Sequence, residues 1–208
     1  LVRPYWRLSV SKGVIPIQLD TQEFIKIAEK AGAICSWDTE STGLKADYNS
    51  ILCLSIKPWH GEVKTFVCER PGRDRLLVKA VRDELSKYAV WITFYGRGFD
   101  VPLYRSRLLY HRLKDIPKAL HADMYFHLRA HLLPARRSQA HLNRWLNLSE
   151  KKMSVSPSLW NDVIAEGAYL DPGDHSAMNK MIQRCESDCK GLEGLWDRTK
   201  HLIVNLCK

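Results

Sequence analysis

Three carboxylate signals stand out among the 208 residues. The first is Asp38-Thr39-Glu40, at the end of an apolar, strand-like run. In a strand, residues two apart point to the same side of the sheet. Two carboxylates at that spacing beside a core repel each other and need a cation between them. Taken alone, the spacing is also common on solvated strands. The second is Asp100, in Thr93-Phe94-Tyr95-Gly96-Arg97-Gly98-Phe99-Asp100. Here an apolar strand ends, two glycines make a tight turn and a helix begins. An aspartate there suits a helix N-terminus, but such strand ends are also where open α/β sheets place ligands. The third is Asp188, inside the helical stripe Met181, Ile182, Cys185, Cys189, Leu192, Leu195 and Trp196. A carboxylate on a mostly apolar face is expensive to bury without a partner.

The elements that must position these groups follow from periodicity. A capping-box spacing, Asp20 to Glu23, opens a helix that runs to about residue 30. Strands are expected at 33–38, 51–57, 62–67 and 89–95, with a short fifth at 119–124. Glu40 is expected to begin a loop over 40–50. Helical spacing marks 73–88, through Leu76, Leu77, Ala80, Val81 and Leu85, and 99–113. Further helices are expected up to about 132, at 138–148 and 158–167, and from about 175 to the end. Three consecutive strands imply an antiparallel meander, and the later alternation implies parallel strands with crossovers. The expected fold is therefore α/β, a mixed five-stranded sheet flanked by helices. It forms a single domain over 1–208, with an N-terminal arm (1–20) and a helical insertion at about 133–175.

Composition narrows the function. Lys and Arg total 32 against 23 Asp and Glu, a net charge of +9. That excess points toward a polyanion. Its spread through structured segments suits nucleic acid better than a membrane anchor. No run approaches the roughly 20 apolar residues needed to span a bilayer, so no membrane association is expected. The opening LVRPYWRLSV is basic and interrupted by polar residues, unlike a secretory signal. Six cysteines show no CxxC pair and read as reduced core residues of an intracellular, cytoplasmic protein.

On the helix after residue 99, Asp100, Tyr104, Arg107 and His111 share one face. A carboxylate backed by a tyrosine and an arginine suits a phosphate-bearing substrate. Arg97 and Arg105 are further candidates for phosphate contacts. Arg136, Arg137, Lys151 and Lys152, with His141, Arg144 and Trp145, form a basic, partly aromatic stretch suited to single strands. Trp145 itself reads better as a core anchor. Asp123 is read as a cap on the helix that follows it.

Together, SWDTESTGL, TFYGRGFDVPLYRSR and RCESDCKGLEGLW resemble, in order, the three motifs of DEDD-type, DnaQ-like 3′→5′ exonucleases of the ribonuclease H-like fold. The resemblance spans residues 34–196. It implies that Asp38, Glu40, Asp100 and Asp188 are catalytic and hold two Mg²⁺ or Mn²⁺ ions, with Asp38 bridging. It further implies that nucleoside 5′-monophosphates are released from a single-stranded 3′ end. Thr42 and Leu44 match the turn that wedges against the terminal base, and Arg97, Tyr104 and Arg107 join them as substrate-contact candidates. One departure stands out. The family places a Tyr four residues, or a His five residues, before the last aspartate, to orient or deprotonate the attacking water. Here those positions are Arg184 and Gln183, and an arginine is always protonated. Arg184 could instead hold the scissile phosphate or pair with a carboxylate. Two alternatives stay open: a ribonuclease H-like endonuclease, and a nucleic-acid-binding module with weak catalysis. Nothing in these residues chooses DNA over RNA or identifies a protein partner.

Overall fold

In the computed structural model, residues 20–150, 153–171 and 173–206 are described. Most of the N-terminal arm, along with Lys151, Lys152 and Cys207, lies outside that range. The order is α1 (Thr21–Lys30), β1 (Ile34–Ser41), β2 (Ile51–Pro58), β3 (Lys64–Val67), α2 (Arg75–Leu85), β4 (Val90–Thr93), α3 (Asp100–Tyr110), β5 (Leu120–Asp123), α4 (Met124–His131), α5 (Gln139–Trp145), α6 (Leu159–Glu166) and α7 (Ser176–Thr199). The sheet order is β3-β2-β1-β4-β5. The first three strands pair antiparallel, and β1-β4 and β4-β5 pair parallel. This is the mixed five-stranded α/β sheet that the strand pattern predicts.

Alternation along β1 sorts the two faces. Cys35 and Trp37 point toward α2 and α3, where Trp37 meets Trp91 and Tyr104 edge-on at 6.0 and 6.2 Å. Ile34 points the other way and packs with Val90, Ile92, Leu120 and Ala122 beneath α1, α4 and the second half of α7. Each fully buried large apolar side chain here contributes about 1.5–3 kcal/mol. Helix α7 is 24 residues long, about 36 Å at 1.5 Å per residue. It crosses the sheet on the Ile34 face. Ser36, on that face, donates its hydroxyl to the Cys189 carbonyl at 3.0 Å, fixing the helix over the centre of β1.

Three local expectations are corrected. Strand β1 continues through Ser41, so Glu40 lies in the strand; its antiparallel partner is Cys53, and the register shifts only after it. Pairing with the long β2 keeps this polar stretch extended where its composition suggests a loop. Asp20 is the N-cap of α1, but its side chain makes no capping hydrogen bond, so the Asp20–Glu23 spacing does not act as a capping box. Trp145 is half exposed, because α5 turns Gln139, Leu142 and Asn143 inward and puts Trp145 on the opposite side. The five described cysteines are buried and unbridged. Among the described residues, no helix is long and apolar enough to cross a membrane.

Candidate active site

The site forms where β1 and α7 cross. Asp38 and Glu40 lie on the α7 side of β1, and Asp188 faces them from the buried stripe of the helix. One carboxylate oxygen from each lies within 4.8 Å of the others. The crossing is held by several contacts. The Cys185 thiol donates to the Asp38 carbonyl at 3.3 Å. Gln139 of α5 donates its amide to the Asp188 carbonyl at 2.8 Å. Asn143 of α5 packs so close to Gly191 that a Cβ there would lie 2.6 Å from its Nδ2. Helix α5 thus pins the turn of α7 that carries Asp188. The sequence signal for this role is weak: Gln139 and Asn143 are polar residues at (i, i+4) in a short helix, and only their burial reveals it.

Asp100 enters from the side. Strand β4 runs parallel to β1 and ends at Thr93; the 94–99 turn then delivers Asp100 as the first residue of α3. It lines the same cavity, about 410 Å³, with Asp38, Glu40, Leu44, Phe94, Tyr95, Gly98, Phe99, Arg184 and Asp188. Asp100 stays outside the compact group of three. Burial pushes its carboxyl up to about 7, and the nearby Glu40 and Asp123 carboxylates push in the same direction. Clustered carboxylate oxygens at this depth are the donor set that hard divalent cations favour.

One cation of the chain already reaches into the cluster. Arg184 Nε donates to Glu40 Oε1 at 2.8 Å, and Nη2 lies 3.9 Å from Asp188 Oδ2. Its guanidinium also donates to the Met153 carbonyl at 3.3 Å and lies over the Trp160 ring at 5.3 Å. Burial alone would lower the arginine's pKa, but Glu40 and Asp188 outweigh it and hold it above the usual value. Arg184 is therefore a fixed positive charge at the carboxylates. Burial also holds the Cys185 and Cys189 thiols well above the usual range, so neither is a ready nucleophile.

The substrate-contact candidates separate. Leu44 stands 77% exposed on the cavity rim. Thr42 does not line this cavity. Its hydroxyl donates to Asn49 Oδ1 and accepts from the Ser50 N–H, each at 3.1 Å, which closes the 42–50 loop. Tyr104 and Arg107 do share a face with Asp100, but their side chains run down into the core. The Tyr104 hydroxyl donates to the Val78 carbonyl at 2.8 Å and is fully buried. Arg107 forks onto buried Asp74, with Nε and Nη2 at 2.9 and 2.7 Å from its two oxygens, and His111 adds a third contact at 2.7 Å. Burial raises the Asp74 carboxyl, but these partners and the Ile51 N–H together hold it below the usual value. Neither Tyr104 nor Arg107 is placed to reach a phosphate in the carboxylate cavity. Asp74 has no distinguishing mark in the sequence, and only tertiary contact reveals the pair.

Asp123 caps α4, accepting the Tyr125 N–H at 3.1 Å. It also accepts the N–H groups of Tyr95 and Arg97 at 3.0 and 2.9 Å, which fixes the turn ahead of Asp100. Within that turn Tyr95 has φ +63°, a left-handed conformation that costs a non-glycine residue about 1–2 kcal/mol. The Arg97 guanidinium carbon lies 5.5 Å from the Phe126 ring centroid.

A family model for the RNase H superfamily matches residues 35–200. The chain belongs to this superfamily and has its nuclease-type fold. Among solved structures, it is similar to the family B DNA polymerase from the hyperthermophilic archaeon Pyrobaculum calidifontis, with a TM-score of 0.61 and 14% identity. That match covers 80% of this chain but only 24% of the polymerase chain. No curated protein matches the chain.

Proposed function

We propose that the chain is a divalent-metal-dependent 3′→5′ exonuclease that acts on single-stranded nucleic acid. The observation that carries this reading is the meeting of Asp38, Glu40 and Asp188 within 4.8 Å, with Asp100 lining the same cavity. These four residues would hold two Mg²⁺ or Mn²⁺ ions, which when bound supply an activated water and stabilise the leaving 3′ oxygen. Leu44, exposed on the rim, would pack on the terminal base. Arg184 would contact the scissile phosphate through guanidinium N–H groups not committed to Glu40. The net charge of +9 would steer a polyanion to the protein and make its binding salt-sensitive.

The test is a denaturing gel of 5′-labelled single-stranded DNA and RNA with Mg²⁺, Mn²⁺ or EDTA, using wild type and Asp38→Asn. A metal-dependent ladder shortening from the 3′ end, absent in the variant, supports the reading. Cleavage of circular single strands would replace it with an endonuclease. A second reading is a binding module with little turnover. It is favoured by Arg184, which occupies the usual water-orienting position and pairs with Glu40. Tight binding without cleavage under any metal would select it.

A further inference from the structure

Beside the carboxylate cavity lies an aromatic cluster that the nuclease reading does not use. Tyr95 and Phe126 stack with centroids 5.8 Å apart and planes 25° from parallel. Tyr125 meets both edge-on, at 5.1 and 5.2 Å, and Phe94 braces Tyr125 at 6.0 Å. Tyr95 remains 46% exposed and Phe126 37% exposed. Tyr95 also lines the cavity that holds the carboxylates.

The chain bends its own rules to keep the Tyr95 ring there. The residue sits in left-handed backbone, where an aromatic is strained. Gly98 leaves room for the ring, since a Cβ at 98 would lie 2.5 Å from Tyr95 Cζ. The buried Asp123 carboxylate clamps the N–H groups of Tyr95, Arg97 and Tyr125. The Tyr95 ring's contacts with Tyr125 and Phe126 offset part of that strain, yet nearly half of the residue is left open to solvent. Strain held this firmly at a cavity mouth points to a use for the exposed face.

We propose that Tyr95 and Phe126, with the Arg97 guanidinium beside them, form a stacking platform for a nucleobase of single-stranded nucleic acid. It rests on the reading that a strand enters the carboxylate cavity, and it specifies how that strand is gripped. Flat aromatic faces take any base, and the cation suits the neighbouring phosphate. Asp123 is the positioning residue, acting through the backbone it holds. A peptide side chain on the same rings is the competing occupant; the net charge of +9 favours the polyanion.

The experiment measures binding of labelled ten-residue single strands to full-length protein carrying Asp38→Asn, which separates affinity from cleavage. A single abasic residue is scanned through each position of the strand. The parent is expected to lose affinity about five- to a hundredfold at one or two positions. Phe126→Ala and Tyr95→Gly are expected to lose a similar factor on the intact strand and to become insensitive to the abasic residue. Tyr95→Phe should retain the parent's behaviour. Tyr95→Gly relieves the left-handed strain while it removes the ring's packing on Tyr125 and Phe126, so its Tm should stay within a few degrees of the parent's. The platform is overturned if the parent ignores abasic residues, or if both variants bind intact strand within twofold of the parent. It is also overturned if affinity for intact and abasic strands falls alike, which would mark a structural role. Cleavage by wild type is assayed in parallel. If it is absent while the abasic pattern holds, the nuclease reading fails and the platform stands; the converse result sinks the platform alone.

Discussion

Arg184 and Glu40 join the last long helix to the central strand through a charged hydrogen bond of 2.8 Å inside the carboxylate cluster. The guanidinium does part of what a metal ion would do there: it offsets negative charge that the buried site cannot leave to water.

Arg184→Ala should therefore destabilise the metal-free protein. The loss is expected to reach up to about 3 kcal/mol, since both partners are mostly but not fully buried. Thermal unfolding with EDTA checks this. Addition of Mn²⁺ should raise the Tm of the variant more than that of wild type, because the ion takes over the neutralising role. An equal rise in both proteins would show that Arg184 and the metal do not share the site.

Removing a carboxylate should cost more than removing a neighbour that orients it. Outer-shell partners of metal ligands typically cost about 10–100-fold. Asp38→Asn and Asp188→Asn should each exceed that loss in cleavage rate, while single-strand binding stays within a few-fold. Gln139→Ala, which removes the α5 hydrogen bond to the Asp188 carbonyl, should fall in the smaller range. Single-turnover cleavage against added Mn²⁺ ranks the three.

The raised Asp100 carboxyl sets a pH signature in the metal-free protein. Its folded value is about 7, driven first by burial and then by Glu40 and Asp123, against about 3.9 in the unfolded chain. The folded state holds this proton more tightly, so the contribution to stability is full below about pH 4. It is lost as pH rises through 7. His121, pushed down by burial to about 4, works in the opposite sense: its contribution is present above about pH 6.5 and lost as pH falls. Comparison with Asp100→Asn isolates the first effect. The variant should match wild type near pH 4 and exceed its Tm by at least about 3 °C at pH 8 in EDTA. Parallel Tm curves across pH would refute this.

Arg107 tests stability apart from activity. Arg107→Met leaves the buried Asp74 charge with a reduced set of partners and should cost about 3–5 kcal/mol. The folded fraction should keep its cleavage rate, because Arg107 does not line the carboxylate cavity. The depressed Asp74 carboxyl contributes stability above about pH 4 that is lost as pH falls through its folded value. The variant should therefore show a flatter acid limb in thermal unfolding.

Much of this protein was legible in its residues. Apolar runs, with one alternating stretch at 62–67, located all five strands, and helical spacing located α2, α3 and the long α7. The order of elements implied the mixture of antiparallel and parallel pairing. Asp38, Glu40, Asp100 and Asp188 each stood out by residue type and spacing, but only the resemblance of the three segments that hold them joined the four into one candidate site. Periodicity says which residues share a face; it does not say what that face meets. Tyr104 and Arg107 share a face with Asp100, yet the packing of α3 against α2 turns them onto Val78 and Asp74. Trp145 has the composition of an anchor, but α5 meets α7 through Gln139 and Asn143. Glu40 became a strand residue only because β2 pairs alongside it. Arg184 found Glu40 across 144 positions of sequence, and Asp123 found the Tyr95 turn across 28. Local pattern records the preferences of neighbours along the chain, whereas these pairings follow from how helices cross the sheet, and only the tertiary structure decides that.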